Sequence, residues 1–430
     1  MKRHLYPLIL FLLIARISMS AFAEPTEDLT LGEAEKIALQ NHPKIRAAIH
    51  LAAAAEARVT ESRSAYFPFL YGSLTGVEAE TNSRVAAGSL NNPIVYDRYA
   101  NGISLNQLVT DFGRTHELVK SSNSHAQAQR ENVVASRADV LLEVDRAFFS
   151  VLRAQAVLTV AEQTVKDRQL ISDQVRELQK NKIKSELDVS FVNVALEQAQ
   201  LLLIQAQNDL QASFADLSVA LGFADRRTFH LSEEPLPPAP PVDVNVLIQQ
   251  ALSHRPELIS ERLEADSAQS YTLAQRDLWF PTVSAFATAG LVPVGQEPLA
   301  PRYAAAGINI NIPLFNGFLF GSLRAEANSQ AEAQRQNVRD LQNRITRDVM
   351  TAWLSAVSSY RRLEVTDQLL KQANQALDLA QSRYGLGLSS VVELSQAQLN
   401  QTQAQIEQAS AKYDFSARTS ALNYQLGNLR

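Results

Sequence analysis

The residue types that usually carry chemistry do not converge on a site in this chain. Its seven histidines are scattered, with no two at the spacing of metal ligands, and it has no cysteine. The turn Gly385-Leu386-Gly387 lacks the third glycine of a phosphate-binding loop and does not follow a predicted strand. No nucleophile elbow and no Walker sequence occurs. The sequence therefore predicts no catalytic residue, no metal site and no cofactor.

Two acidic residues stand at matching places after two short turns. Asp188 follows Ser185 by three residues, and Glu393 follows Ser390 by the same interval. A serine followed three residues later by an acidic side chain is typical of a capping box at a helix start. Helix capping is thus one role for both acids, and it does not exclude a second.

Composition and the start of the chain indicate export. Residues 1–23 combine a basic start, an apolar run and the small residues of a cleavage site, which predicts a secretory signal peptide. Its removal takes three of the 40 basic side chains and leaves 37 against 45 acidic ones, a net charge of −8. We therefore expect no nucleic-acid partner. No later stretch approaches 18 consecutive apolar residues, so we also expect no membrane-spanning helix.

The mature chain repeats once. Tyr66-Phe67-Pro68 matches Trp279-Phe280-Pro281 at a shift of 213 residues, and further matches keep the same order to the end of the chain. Preserved order over this length indicates an internal duplication. The division that follows is a first repeat, a proline-rich crossover and a second repeat: 24–222, 223–245 and 246–430.

Each repeat contains a long helical hairpin. Glycine and proline are absent from Arg114 to Leu221, where residues that favour helices dominate. Hairpins are predicted over 114–221 and 322–426, broken at Lys180-Asn181-Lys182 and at Gly385-Leu386-Gly387. An arm of about 65 residues would be roughly 100 Å long and needs neighbouring helices to be stable.

Two short strands precede each hairpin. Gly307 to Ile312 alternates apolar and polar residues without a break, which predicts a strand with one apolar and one polar face. The four strands are predicted at about 68–78, 99–109, 282–292 and 303–314. Four strands cannot close a barrel, and an open edge in lipid leaves backbone groups unpaired. A through-channel therefore requires three or more copies of the chain.

Several motifs occur in a fixed order along the whole mature chain. They are the Phe-Pro junctions, the turns Asp111-Phe112-Gly113 and Leu314-Phe315-Asn316-Gly317, and the segment from Tyr384 to Glu393. In this order they resemble the TolC-like outer-membrane efflux protein family. The resemblance implies a mainly α-helical homotrimer whose 12-stranded β-barrel lies in the outer membrane of a Gram-negative bacterium and continues as a 12-helix α-barrel across the periplasm.

The same resemblance implies a passive channel with defined partners. These are a periplasmic adaptor, an inner-membrane pump of the RND or ABC class, and outer-membrane lipid around the barrel. A periplasmic coiled-coil adaptor or scaffold is the alternative function. That class predicts one hairpin flanked by β-domains, whereas this chain has two hairpins with strands in each repeat.

The resemblance also implies a gate at the periplasmic end. It places Glu393 in a ring of three carboxylates that would repel one another, attract cations and raise their own pKa values. Tyr384 and Asp188 match latch positions, whereas Gln396 stands in place of a second acid and Ser389 in place of a basic latch residue. Adaptor docking is expected at the hairpin-tip turns, which carry Lys182, Ser185, Gly385, Gly387 and Ser390.

Overall fold

The computed structural model describes residues 29–80, 96–295 and 300–429. The predicted signal peptide, 1–23, lies outside these residues. Within them the chain is mainly helical and runs twice through the same series of elements. The first series is α1 (Leu31–Asn41), α2 (Pro43–Arg63), β1 (Phe69–Val77), β2 (Arg98–Thr110), α3 (Arg114–Lys180) and α4 (Glu186–Ala220). The second is α5 (Val244–His254), α6 (Pro256–Arg276), β3 (Thr282–Gly295), β4 (Arg302–Asn311), α7 (Leu319–Gly385) and α8 (Val391–Gln425).

The two longest helices have identical lengths. Helices α3 and α7 each contain 67 residues, which corresponds to roughly 100 Å. Helices α4 and α8 each contain 35 residues and run back along the half of α3 or α7 that is farther from the sheet. Each long helix begins after a residue with positive φ, Gly113 at 115° and Phe318 at 69°. At the first of these starts, the Asp111 carboxylate accepts hydrogen bonds from the backbone N–H (2.8 Å) and hydroxyl (2.6 Å) of Thr115.

Three layers of the fold show the same order of repeats. The sheet is ordered β1-β2-β3-β4 with antiparallel pairing throughout. Near the sheet the helices are ordered α2-α3-α6-α7, and near the hairpin tips they are ordered α4-α3-α8-α7. Every layer therefore ends on first-repeat elements (β1, α2 and α4) on one side and on second-repeat elements (β4 and α7) on the other. We call these the first-repeat edge and the second-repeat edge.

The sheet has one apolar and one polar face. The cross-strand row Leu70–Leu105–Ala287–Ala306 is apolar, and the next row, Tyr71–Ser104–Thr288–Ala305, carries hydroxyl groups. The hydroxyls of Ser104 and Thr288 lie 3.2 Å apart. Rows in register share a face and successive rows alternate, so the sheet separates an apolar from a polar environment.

Short helices cover the middle of the long ones. Ala34 and Ala38 of α1 pack with Val144, Phe148 and other buried residues of α3 and α4, and α5 packs in the same way on α7 and α8. The crossover runs beside α1, where Leu231 pairs with Leu29 in a parallel bridge. It then reaches α7, where the Trp353 indole N–H donates to the Pro241 carbonyl at 2.7 Å.

Three expectations about elements need adjustment. The strand predicted over 303–314 ends at Asn311, because Pro313 has no N–H for the ladder. Helix α7 begins at Leu319 and not at the predicted 322, since its first turn accommodates Gly321. The expectation of no membrane-spanning helix considered uninterrupted apolar runs; by length and composition alone, one helix of the described residues, Glu186–Ala220, is apolar enough to cross a membrane, with a mean hydropathy of 1.3 over an 18-residue window of which 17% is buried.

A carboxyl pair, the buried Asp145 and the half-buried Glu35, joins α1 to α3. Asp145 is 2% exposed, and its Oδ1 atom has no hydrogen-bond partner among the described residues. Burial, followed by the charge and hydrogen bond of Asp145, raises the pKa of Glu35 to about 7. Burial likewise raises the pKa of Asp145, against hydrogen bonds from Ser420 and Glu35. The pair therefore retains a proton well above the pH at which an ordinary carboxyl loses it.

This pair makes the stability of the helical region depend on pH. The pKa of Glu35 is higher in the folded chain than in the unfolded chain, so protonation of Glu35 stabilises the folded state. This contribution is complete at pH values below 4.5 and is lost as the pH rises to about 7. Asp145→Asn should therefore increase stability at pH 8 by about 1–2 kcal/mol and flatten its decline between pH 5 and 8. Thermal unfolding followed by circular dichroism measures this effect. Glu143→Gln, which changes an exposed acid of the same helix, is the control, and an unchanged slope in Asp145→Asn would refute the pair's role.

Candidate periplasmic gate

The two hairpin tips are built alike. In the first, Lys182 adopts a positive φ of 61° between α3 and α4, and in the second Gly387 adopts 73° between α7 and α8. The backbone N–H of Ile183 donates to the Leu178 carbonyl at 2.9 Å, closing the end of α3. The left-handed conformation is unfavourable for lysine and neutral for glycine, so the first turn is the more strained.

Relief of this strain gives a local prediction. Lys182→Gly should stabilise the first hairpin tip by about 1 kcal/mol, whereas Gly387→Ala should destabilise the second by a similar amount. A Cβ atom at Gly387 meets nothing within 4 Å, so only the backbone conformation is at issue. Hydrogen exchange followed by mass spectrometry should show slower exchange across the first turn and faster exchange across the second. Equal effects of both substitutions would contradict this account.

Asp188 is engaged in its own helix start. Its carboxylate accepts hydrogen bonds from the Ser185 backbone N–H (3.0 Å) and hydroxyl (2.9 Å), while its backbone N–H donates to the Ser185 hydroxyl at 3.2 Å. The backbone hydrogen bond, followed by that of the hydroxyl, lowers the pKa of Asp188. The capping interpretation thus holds for this residue, and the tip geometry shows no hydrogen bond from Asp188 to the second hairpin among the described residues.

Glu393 behaves differently from Asp188. Its backbone N–H donates to the Ser390 hydroxyl at 3.3 Å, but its carboxylate does not complete a capping box. Instead it forms an ion pair with Arg383, with 3.1 Å between Oε1 and Nε. The pair joins the end of α7 to the start of α8. Sequence reasoning missed Arg383, because two residues ten positions apart meet only when the turn folds them together.

Tyr384 lies where the two hairpins meet. It packs against Val175 and Val192 of the first hairpin as well as Val391 of its own, and the Lys184 ammonium lies 4.5 Å from its ring centroid. The hydroxyls of Tyr384 and Ser389 are buried and have no hydrogen-bond partner among the residues that the structure describes. Tyr384 therefore links the tips by packing and a cation–π contact.

A buried polar seam behind the tips was not predicted. Arg168 of α3 is 6% exposed, as is Gln398 of α8, and the Arg168 guanidinium donates to the Gln398 Oε1 atom. One turn away, the hydroxyls of Thr164 and Thr402 lie 3.5 Å apart. We call these four residues the polar seam. The sequence does indicate such a seam by polar residues four positions apart on each helix: 164 and 168 on α3, and 398 and 402 on α8.

The polar seam separates two cavities between the hairpins. One, of about 220 Å³, lies between α3, α4 and α8 and is lined by Phe191 and Gln396. The other, of about 160 Å³, lies toward α7. Gln396 donates to Asn400 one turn along α8 at 3.0 Å. The polar seam thus lies between two small gaps in the packing of the hairpins.

Among the described residues there is no group of three or more histidine, cysteine, aspartate or glutamate side chains that could hold a metal ion. The predicted site residues instead combine two helix starts, an ion pair and a packed tyrosine. These contacts hold the two hairpin tips together within one copy of the chain.

Comparison with known proteins agrees with the fold. The family model for outer membrane efflux proteins matches residues 36–223 and 247–428, that is, both repeats and not the crossover between them. The outer membrane protein TolC of Salmonella enteritidis is 21% identical over 428 residues, covering 96% of this chain and 85% of that protein. This relative is an outer membrane protein and not a periplasmic adaptor.

Solved structures share the whole architecture. A crystal structure of a membrane protein from Pseudomonas aeruginosa superposes with a TM-score of 0.81 at 20% identity, covering 92% of this chain and 93% of the other. The CmeC outer membrane channel of Campylobacter jejuni gives a TM-score of 0.79 at 16% identity, with coverages of 93% and 85%. Because the family model spans most of the chain, this protein belongs to the outer membrane efflux protein family, whose members are outer membrane channels of Gram-negative bacteria.

Proposed function

We propose that three copies of this chain join head to tail into a continuous duct across the outer membrane and periplasm. The observation that carries the proposal is the matching order of the three layers, each of which ends on a first-repeat edge and a second-repeat edge. Contacts of β4 with β1, and of α7 with α2 and α4, can then form simultaneously between neighbouring copies. Such heterologous contacts produce a closed ring when the rotation that relates one copy to the next adds up to a full turn.

The sheet supports closure at 12 strands. An open four-stranded sheet in lipid would leave the backbone groups of β1 and β4 unpaired at their free sides. Two copies would give eight strands, whose interior is filled by side chains, and three copies are the first number that leaves a passage. The apolar face of the sheet suits lipid, and its hydroxyl-rich face suits a water-filled interior.

The helical edges support the same assembly. On α4 a stripe of apolar side chains is exposed, including Leu187 at 65%, Leu201 at 66% and Ile204 at 63%. On α7 a second stripe is exposed, including Val365 at 65% and Leu379 at 66%. Contact between these stripes in neighbouring copies would bury both. It would also account for a helix as apolar as α4 at the periphery of the chain.

The hairpin tips suit docking of a periplasmic adaptor and, through it, an inner-membrane pump of the RND or ABC class. The tips lie at the far end of helices that measure roughly 100 Å from the sheet. Their turns expose Lys182, Ser185, Gly385, Gly387 and Ser390. The pump supplies energy, and the duct acts as a passive conduit whose gate is formed by Glu393, Tyr384 and the polar seam.

Planar lipid bilayers test the conduit directly. Purified protein should insert and produce discrete, uniform conductance steps that increase when the tips are weakened. Failure to produce any step, with protein that fractionates as a soluble species, would reject the duct. If a tip variant and the unmodified chain gave conductance steps of the same size, the proposal of a duct would stand and the proposal of a gate would be rejected.

A further inference from the structure

Arginines cluster in two grooves on either side of α8. The first groove, of about 350 Å³ between α3 and α8, is lined by Arg146, Arg153 and Arg418 above Phe149 and Tyr413. The second, of about 370 Å³ between α7 and α8, is lined by Arg362 and shares Arg418. We call Arg146, Arg153, Arg362 and Arg418 the arginine band. Neither the gate nor the membrane barrel uses it.

The arginine band has an excess of positive charge. Asp414 is the only acid among the described residues that line either groove, and it is shared by Arg362 (3.5 Å) and Arg153 (3.7 Å). Arg362 also pairs with Glu407. Arg146 and Arg418 form no ion pair with any residue that the structure describes. Four guanidinium groups thus face two carboxylates, in a chain whose formal net charge is −5.

The grooves lie on the side of α3 that the short helices do not cover. Val140, Val144, Phe148 and Val151 belong to the core that includes α1. At 100° per residue, the groove residues 146, 150 and 153 project from the opposite side of the helix. The buried Phe149 and Tyr413 also belong to that core and form the floor of the first groove. The seam between α3 and α8 is also internal to each copy, so contacts between the first-repeat and second-repeat edges leave it open.

In the proposed duct, the side of α3 and α8 that carries the grooves must face either the interior or the outer surface; this step rests on the proposed function. If α1 and α5 lay inside a ring of three copies, six additional helices would fill the passage. They are therefore placed on the outer surface, and the arginine band faces the water-filled interior. Three copies would provide a belt of arginines halfway along the duct.

We propose that the arginine band binds organic anions that have an apolar body and a carboxylate, sulfonate or phosphate group. Guanidinium groups offer paired N–H donors that match these head groups, and the floor of Phe149 and Tyr413 supports a flat or apolar body. Arg146 and Arg418 are the principal ligands, since they form no ion pair with an acid among the described residues. Binding there would concentrate amphiphilic anions inside the duct.

Dye binding to the purified, detergent-solubilised full chain tests the proposal. The probe is 8-hydroxypyrene-1,3,6-trisulfonate, an aromatic anion followed by fluorescence anisotropy in a non-ionic detergent. The double variant Arg146→Gln/Arg418→Gln should weaken binding at least tenfold. Arg324→Gln/Arg339→Gln, which removes two exposed arginines of α7 outside the arginine band, should change it less than twofold. The cation ethidium should bind no more weakly to either variant.

The outcomes separate this inference from the duct itself. Unchanged dye binding in the first double variant, or equal loss in both, would overturn the arginine band as a site. Circular dichroism and conductance on the same samples report whether the variants fold and conduct. If the unmodified protein conducts and the dye added to one side blocks its current, with block lost in Arg146→Gln/Arg418→Gln, the site lies inside the duct. Dye binding by protein that never conducts would reject the duct and keep the site.

Discussion

Gln398→Ala should open the periplasmic end of the channel. The substitution removes the acceptor of the Arg168 guanidinium, which is 6% exposed where α3 packs against α8. A buried charged group without a partner costs about 2–3 kcal/mol, and separation of the hairpins would relieve this cost by admitting water. A difference of about 2 kcal/mol shifts the closed-to-open equilibrium roughly 30-fold.

The measurement is the mean resting conductance of single channels in planar bilayers, which should rise several-fold. Gln403→Ala is the matched control, because Gln403 lies on the same helix, is exposed and bonds only to Glu407 of its own helix. Cells that produce the Gln398→Ala variant should also become more sensitive to large antibiotics that the outer membrane normally excludes. Equal conductance of Gln398→Ala and Gln403→Ala would show that the polar seam does not hold the gate.

Glu393→Ala should relieve block of the channel by multivalent cations and raise its conductance. Three Glu393 carboxylates converging at the constriction would form a strong site for a cation such as La³⁺. The ion pair with Arg383 does not cancel this field, because both side chains are about half exposed, 55% and 46%, and exposed pairs are weak. The concentration of La³⁺ that halves the current should increase at least tenfold.

Arg383→Ala provides the opposite change on the same ion pair. It frees the Glu393 carboxylate, so block by La³⁺ should occur at lower concentration than in the unmodified channel. Glu197→Ala removes an exposed acid of α4 and should leave block unchanged. If Glu393→Ala and Arg383→Ala shifted the block in the same direction, a general effect on the tip would explain both, and the carboxylate ring would be excluded.

The parts of the fold that follow from local sequence were predictable. Long runs without glycine or proline specify α3 and α7, and period-two alternation specifies β4. The family prediction is confirmed, because the motifs that carried it mark the junctions between these elements. The predicted boundaries were less accurate where a single residue disfavours the structure that its neighbours favour. Gly321 lies inside α7, and Pro313 follows the end of β4.

Contacts between distant residues account for what was missed. Arg168 and Gln398 are separated by 230 positions, so no local pattern pairs them. The Glu393–Arg383 ion pair depends on the three-dimensional path of the turn. The roles of Glu393, Tyr384, Ser389 and Gln396 in a gate stay predictions, since their contacts here are equally those of a stable hairpin tip. Asp188, by contrast, has its carboxylate committed to Ser185.

The central claim is that the chain works as a closed ring of three copies in the outer membrane. Its most direct test is the mass of the detergent-solubilised protein extracted from outer membranes, measured by light scattering and compared with its migration on unheated and heated gels. We predict a single species of three chains that dissociates to one chain only on heating. A monomer of the same mass before and after heating, absent from the outer-membrane fraction, would contradict the account.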